Sequence, residues 1–318
     1  FSIHSYRHIT RPVEINPWLD GIGRGTFPNV LSKIAKAVVF ASSPTNLDPK
    51  GGRKPITTYR HKTAKGVSTH PWSVLGGSSL ASISTKSSEN LEGIPDGSID
   101  LILTDPPYFD NLSYSELSDF YLAWHQSLGV AEPPYDNTIL EAPIRESLAL
   151  TDRGDRAIEV YRNRLQHILC ECHRVLKRDG IIVFTYHHKS PMAWGALGDA
   201  LARSGLKCMT VLPLRGEGQG GLHSYYGTIK WDAVFVCRKS TPVRSLTSDE
   251  AVVSRIAIKK AKQQASTYAK DLAKTRQIGF RDPDHLNLER ALIVAATFSG
   301  TTNYDTLSLK EAITFTNK

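Results

Sequence analysis

The apolar residues of this chain fall into short runs with two different periods. Ile99-Asp100-Leu101-Ile102-Leu103 follows the turn Pro95-Asp96-Gly97 and has the composition of a buried strand. A shorter apolar run, Ser73-Val74-Leu75, ends in Gly76-Gly77. From Asp155, which can cap a helix, apolar side chains recur at Ile158, Tyr161, Leu165, Ile168, Leu169, Cys172, Val175 and Leu176. Steps of three and four put them on one helical face. Gly180 stands where a left-handed cap would end that helix. Ile181 to Tyr186 then reads as a β-branched and aromatic strand. Met192 to Arg203, closed by Gly205, predicts a second helix, and Cys208 to Leu212 and Trp231 to Cys237 predict further strands.

The order strand, helix, strand, helix, strand, strand predicts an α/β layer fold. Ligands of such sheets sit beyond the carboxyl ends of the strands. Asp105 and His187 both lie just past predicted strand ends. Residues 252–276 predict an amphipathic helix, with Ile256, Ala261, Ala265, Tyr268 and Leu272 on one face and many lysines around the rest. The tail from Leu286 predicts two short helices. Residues 41–70 are rich in Ser, Thr, Lys, Gly and Pro and read as a loop or insertion. The chain thus divides into an N-terminal segment (1–70), a core (71–240) and a basic helical C-terminal region (241–318), the last expected as a small appendage.

Composition narrows the class. A length of 318 residues suits two domains, or one large domain with an appendage. No apolar run reaches the length of about 18 residues that a membrane span needs, and Phe1-Ser2-Ile3-His4 does not begin a signal peptide. The missing initiator Met adds the expectation that the chain is cut from something longer. Cys170, Cys172, Cys208 and Cys237 form no paired CxxC blocks, so reduced thiols in a cytoplasmic protein are expected, and no metal site. The formal net charge of +8 and an isoelectric point near 9.2 favour a polyanionic partner. The cations Lys50, Arg53, Lys54, Arg60, Lys62 and Lys65 suit phosphates or a solvated surface equally, and the lysines of 252–276 have a phosphate-binding composition but read rather as a basic solvated face. The glycine-rich loop from Arg215 to Tyr226 lacks a P-loop ending, and its Arg215, His223 and tyrosines suit either a nucleic-acid contact or a plain connector.

Asp105-Pro106-Pro107-Tyr108, directly after a strand, carries the most specific chemistry. The exocyclic amine of a base is a poor nucleophile, because its lone pair is delocalised into the ring. A carboxylate and a backbone carbonyl that each accept one N–H draw the nitrogen toward tetrahedral geometry and aim the lone pair at an electrophilic methyl. Asp105 would supply the carboxylate and Pro106 the carbonyl, on a stiff turn that two prolines enforce. Tyr108 would stack on the base, with Phe109 as a second aromatic wall. A base inside a duplex must be flipped out to reach such a pocket. The methyl must come from a sulfonium cofactor in one in-line displacement, with positioning and electrostatics supplying most of the gain. His187 and His188, beyond the strand that ends at Tyr186, are expected to line the base pocket or to pack.

The stretch LTDPPYFDNLSYSELSDF, from Leu103 to Phe120, resembles the adenine-specific DNA methylases of the large type that also contains a zinc ribbon. Glu171-Cys-His-Arg-Val-Leu-Lys-Arg-Asp-Gly180 and Val183-Phe-Thr-Tyr-His-His-Lys189 carry a second match. The resemblance covers about residues 70–240 and is faint in 1–40. It implies a Rossmann-like methyltransferase sheet with helices on both faces, S-adenosyl-L-methionine as cofactor, and adenine N6 in DNA as target. RNA and cytosine N4 remain open as targets, because the motif does not separate them, and a catalytically silent nucleic-acid-binding module remains the rival class. The resemblance makes Asp105, Pro106, Pro107 and Tyr108 the catalytic motif, and it matches Asp110, Asn111, Tyr114, Glu116 and Asp119 without assigning their roles. The chain departs from the family in lacking the zinc ribbon and the Asp/Asn-x-Phe-x-Gly-x-Gly cofactor turn; Gly21-Ile22-Gly23-Arg24-Gly25 has glycines but no strand before it. Ser78 stands where related enzymes carry an acid near the cofactor's adenine, which leaves Asp105 and Ser78 as cofactor contacts. An upstream fragment or subunit is expected to supply the missing glycine motif, in a prokaryotic modification or defence setting.

Overall fold

The computed structural model describes Trp18 and residues 26–43, 45–47, 52–55, 67–68, 81–82, 87–109, 123–124, 127–129, 155–216, 229–240, 250–274, 282–300 and 305–314. The chain divides into two compact units, Phe1–Ser84 and Thr85–Lys318. In the first, helix α1 (Phe27–Ser42) opens with a proline in its first turn and buries none of its residues. Strands β1 (Thr45–Leu47) and β2 (Arg53–Pro55) pair antiparallel, so part of the expected 41–70 loop is a short hairpin. Strands β3 (Val67–Ser68) and β4 (Ala81–Ser82) pair parallel.

The second unit is mixed α/β. Its sheet contains β5 (Ile99–Thr104), β6 (Leu176–Tyr186), β7 (Leu206–Arg215) and β8 (Trp231–Lys239), in the order β5-β6-β8-β7. β5 and β6 are parallel, and helix α2 (Asp155–Val175) precedes β6. Helix α3 (Pro191–Arg203) connects β6 to β7, and β8 runs antiparallel between them. The order of elements is the one the hydrophobic periods predict. α2 turns Tyr161, Leu165, Leu169, Cys172 and Val175 into the core, as steps of three and four require. α3 adds Trp194, Leu197 and Leu201, and Phe184 of β6 stacks on Phe235 of β8 with centroids 4.9 Å apart. Gly205, with φ of +73°, turns the chain out of α3 as the sequence indicates.

Four expectations need correction. Gly180 is no helix cap: α2 ends at Val175 and β6 begins at Leu176. Gly180 lies in β6 beside a register shift against β5, where a Cβ would fall 2.9 Å from the Leu176 side chain and 3.0 Å from the Asp100 carbonyl. β5 is not buried, because it ends the sheet among the described residues; Leu101 and Leu103 are 53% and 74% exposed. The helix expected from 252 starts later: β9 (Glu250–Ser254) is a strand, rich in β-branched residues, and helix α4 (Arg255–Lys274) follows it with Ile256 exposed.

The fourth concerns the C-terminal region as an appendage. Helix α5 (Asp282–Ala295), strands β10 (Phe298–Gly300) and β11 (Thr306–Ser308), and helix α6 (Leu309–Thr314) complete the chain. β9 pairs antiparallel with both β10 and β11. Leu288, Ile293, Val294, Leu309 and Ile313 belong to the same core cluster as Tyr161, Trp194 and Phe235. These residues close one core, so no boundary falls at residue 240.

Candidate functional site

Strand direction gathers the site. β5 and β6 run parallel, so Thr104-Asp105 and Thr185-Tyr186-His187 emerge at one end of the sheet. β8 is antiparallel to β6, with Tyr186 opposite Ala233, so its first residues, Trp231 and Asp232, arrive at that end. A cavity of about 330 Å³ opens there, lined by Leu103, Thr104, Asp105, Tyr108, Thr185 and Asp232. That is the lower end of the range for small-ligand sites, and it suits a single ring system.

Asp105 is exposed at the tip of β5. Its Oδ1 accepts from the Tyr108 hydroxyl at 2.6 Å and from the Thr185 hydroxyl. The Tyr108 and Thr185 hydroxyl oxygens lie 2.9 Å apart. Oδ2 has no hydrogen-bond partner among the described residues. Burial, and next the bond to the Asp105 carboxylate, push the Tyr108 phenol well above its ordinary value, so it remains a donor. The turn itself is fixed from α2: the buried Tyr161 donates to the Pro107 carbonyl at 2.9 Å. The Pro106 carbonyl accepts no bond among the described residues. The result is one clamped carboxylate oxygen on a stiff corner, with the other oxygen and the Pro106 carbonyl unpartnered among the described residues.

The expected aromatic walls are placed differently. Tyr108 borders the cavity, but its ring is fixed edge-on against Tyr186 at 5.1 Å and His187 at 4.7 Å. Phe109 does not form a second wall: it is buried, packed on Tyr161 and His188, and its φ of +39° turns the ring into the core. A left-handed residue with a side chain costs about 1 kcal/mol, which the buried ring offsets. His187 reaches the site through its Nδ1 bond to Asp232 Oδ1 rather than as a cavity wall. His188 is a packing residue whose ring accepts from the Ser190 N–H at 2.9 Å and whose carbonyl accepts from Trp194 Nε1.

Thr185 and Asp232 were not singled out by sequence reasoning. A threonine within Ile181–Tyr186 looks like strand propensity, and an aspartate at the first turn of an apolar strand looks like a boundary. Helix α5 holds the loop after β6, which carries His187, and the start of β8, which carries Asp232. The buried Asp284 accepts from the Lys230 and Trp231 N–H groups at 2.6 and 3.1 Å. Asn287 accepts from the His188 N–H and donates to the Trp231 carbonyl, and Arg290 donates to the Lys189 carbonyl at 2.8 Å.

Ser78, Gly21–Gly25, Asp110, Asn111, Tyr114, Glu116, Asp119 and His223 lie outside the described residues. The four cysteines are free, and no helix among the described residues is long and apolar enough to cross a membrane. Compared with known proteins, no family model matches this chain, and no curated protein matches it significantly.

Proposed function

We propose that this chain transfers a methyl group from S-adenosyl-L-methionine to the exocyclic N6 amine of adenine in DNA, on a base flipped out of the duplex. The observation that carries the reading is the corner at Asp105. One oxygen is held by two hydroxyls, Asp105 lines the cavity, and the Pro106 carbonyl is nearby in the chain. A carboxylate so placed accepts one N–H of an amine and fixes where its lone pair points. The sulfonium cofactor supplies an electrophilic methyl, and its positive charge suits a cavity bordered by two carboxylates, Asp105 and Asp232. Asp105 is its contact among the described residues; Ser78 and an upstream glycine-bearing fragment or subunit would hold the rest.

Two further features support the reading. The site lies past the carboxyl ends of two parallel strands, as in Rossmann-like methyltransferase sheets generally. The net charge of +8 suits a polyanionic substrate. Asp105→Ala is expected to bring methyl incorporation into DNA down to background while the thermal melt is unchanged, with labelled cofactor as the readout. Full activity in that variant would refute the assignment. Calorimetric titration of the chain with S-adenosyl-L-methionine separates an enzyme from a silent binding module.

A further inference from the structure

We propose that a lysine stripe on α4 seats the phosphate backbone of duplex DNA and leads it to the site; the partner is taken from the methyltransferase reading above. α4 carries Arg255, Lys259, Lys260, Lys262 and Lys270 as exposed cations, against Asp271 as its one exposed acid among the described residues. Steps of four, three, four and four place Arg255, Lys259, Lys262, Ser266 and Lys270 on one line along the helix. From Lys259 to Lys270 that line runs about 16 Å. Along a duplex axis this is about five phosphates of one strand.

Cations elsewhere in the same unit are engaged with acids. Arg164 holds Glu89, Arg174 holds Asp96 and Glu171, and Lys177 holds Asp100. On α4, Lys262 lies 3.7 Å from the buried Glu289, while Lys259, Lys260 and Lys270 make no ion pair among the described residues. Like charges three and four residues apart repel one another, so the helix by itself gains nothing from this stripe. A polyanion relieves that repulsion and releases its own counterions, which drives binding to a phosphate backbone.

The stripe also points at the site. α4 and α5 are antiparallel neighbours: Lys262 meets Glu289, and Ser266 Oγ lies 3.4 Å from His285 Nε2. His285 follows Asp284, which accepts from the Lys230 and Trp231 N–H groups at the start of β8. Tyr268 ties the same stretch of α4 to the Val211 carbonyl of β7. The C-terminal part of the stripe therefore lies toward the end of the sheet where Asp105 and Asp232 border the cavity. The exposed Lys189 and the half-buried Lys230 add cations there, two residues from His187 and Asp232 in the chain. A duplex lying along α4 thus passes the end of the sheet at which a flipped base would enter.

The test is titration of a fluorescein-labelled DNA duplex with the full chain, read by fluorescence anisotropy between about 50 and 200 mM salt. Lys259→Gln with Lys270→Gln removes two charges from the stripe and keeps good helix formers. Lys207→Gln with Arg238→Gln removes two exposed cations that face each other across β7 and β8 at the opposite end of the sheet. The α4 variant is expected to bind about 10- to 30-fold more weakly near physiological salt, with the slope of log affinity against log salt shallower by about 2. The variant at the opposite end is expected to bind as the wild type does, and circular dichroism establishes that both are folded. Equal losses in the two variants would assign the effect to net charge and overturn the proposal. So would an α4 variant with wild-type affinity and slope, or tighter binding of a single-stranded RNA than of the duplex. The parent reading fails separately: a wild type that binds the duplex through α4 yet transfers no methyl from labelled S-adenosyl-L-methionine removes the methyltransferase and leaves the surface standing. Transfer by a chain whose α4 variant binds DNA undiminished removes the surface and leaves the methyltransferase.

Discussion

A carboxylate with one oxygen held by two hydroxyls has lost its freedom to rotate, and that is the state of Asp105. The anchor is Thr185, which bridges the carboxylate and the Tyr108 phenol from the neighbouring strand. Valine has nearly the same shape and suits a strand, so Thr185→Val removes the hydroxyl without emptying space. A hydrogen bond to a charged group contributes about 1.5–3 kcal/mol. On the proposed methyltransferase reading, with that energy fixing the attacking geometry, Thr185→Val is expected to slow methyl transfer by about 10- to 100-fold. The thermal melt of the variant is expected to stay within a few degrees of wild type. Unchanged transfer would mean that the turn alone holds the carboxylate.

At the scale of elements, α2 sets the register of the strand that carries the site. Arg174, near its C-terminus, bonds the carbonyls of Leu91 and Ile94 and the Asp96 carboxylate, while the Gly97 and Ser98 N–H groups bond the end of α2. Glu171 accepts from the Leu91 N–H, and Arg164 holds Glu89 at 2.7 Å. The segment entering β5 is thus laid along one helix before the strand begins. Bonding to Arg164 holds the Glu89 carboxyl below its ordinary value of 4.5, against the opposing effect of burial. A carboxyl with a lowered folded pKa contributes stability that is present above its ordinary value and is lost as pH falls through the folded value. Melting followed from about pH 6 down to pH 3 is expected to separate wild type from Glu89→Gln by about 1 kcal/mol at the upper end and to bring the curves together at the lower. A constant gap would assign the effect to something other than this charge. The apolar face of α2 was legible, because a period of three and four survives any context. The partners of Arg164, Glu171 and Arg174 were not, because charges on a helix look solvated until the chain brings distant residues beside them.

At the scale of the molecule, the same asymmetry between pattern and partner explains why the C-terminal region reads as an appendage from its sequence and is part of the core in three dimensions. Its lysines dominate the pattern over 255–274, yet α4 buries Ala261 and Ala265, and Tyr268 donates to the Val211 carbonyl at 3.1 Å. α5 looks weakly amphipathic because it is covered on most sides, and its polar residues are spent inward on the loops beside the site. Three short strands with no long apolar run carried no signal at all. Burying Leu288, Leu292, Ile293, Val294, Leu309 and Ile313 contributes about 1.5–3 kcal/mol for each side chain, a sum comparable to the whole net stability of a domain. A chain ending at residue 240 would leave Trp194, Leu197 and the ends of β6 and β8 open to water. It is therefore expected to lose its cooperative thermal transition and to bind a hydrophobic dye, rather than to survive as a smaller folded protein. Melting of residues 1–240 beside the full chain decides the matter: a sharp transition at the full-length temperature would mean that α5 decorates a core already complete, and the clamp on His187 and Asp232 would have to be sought elsewhere.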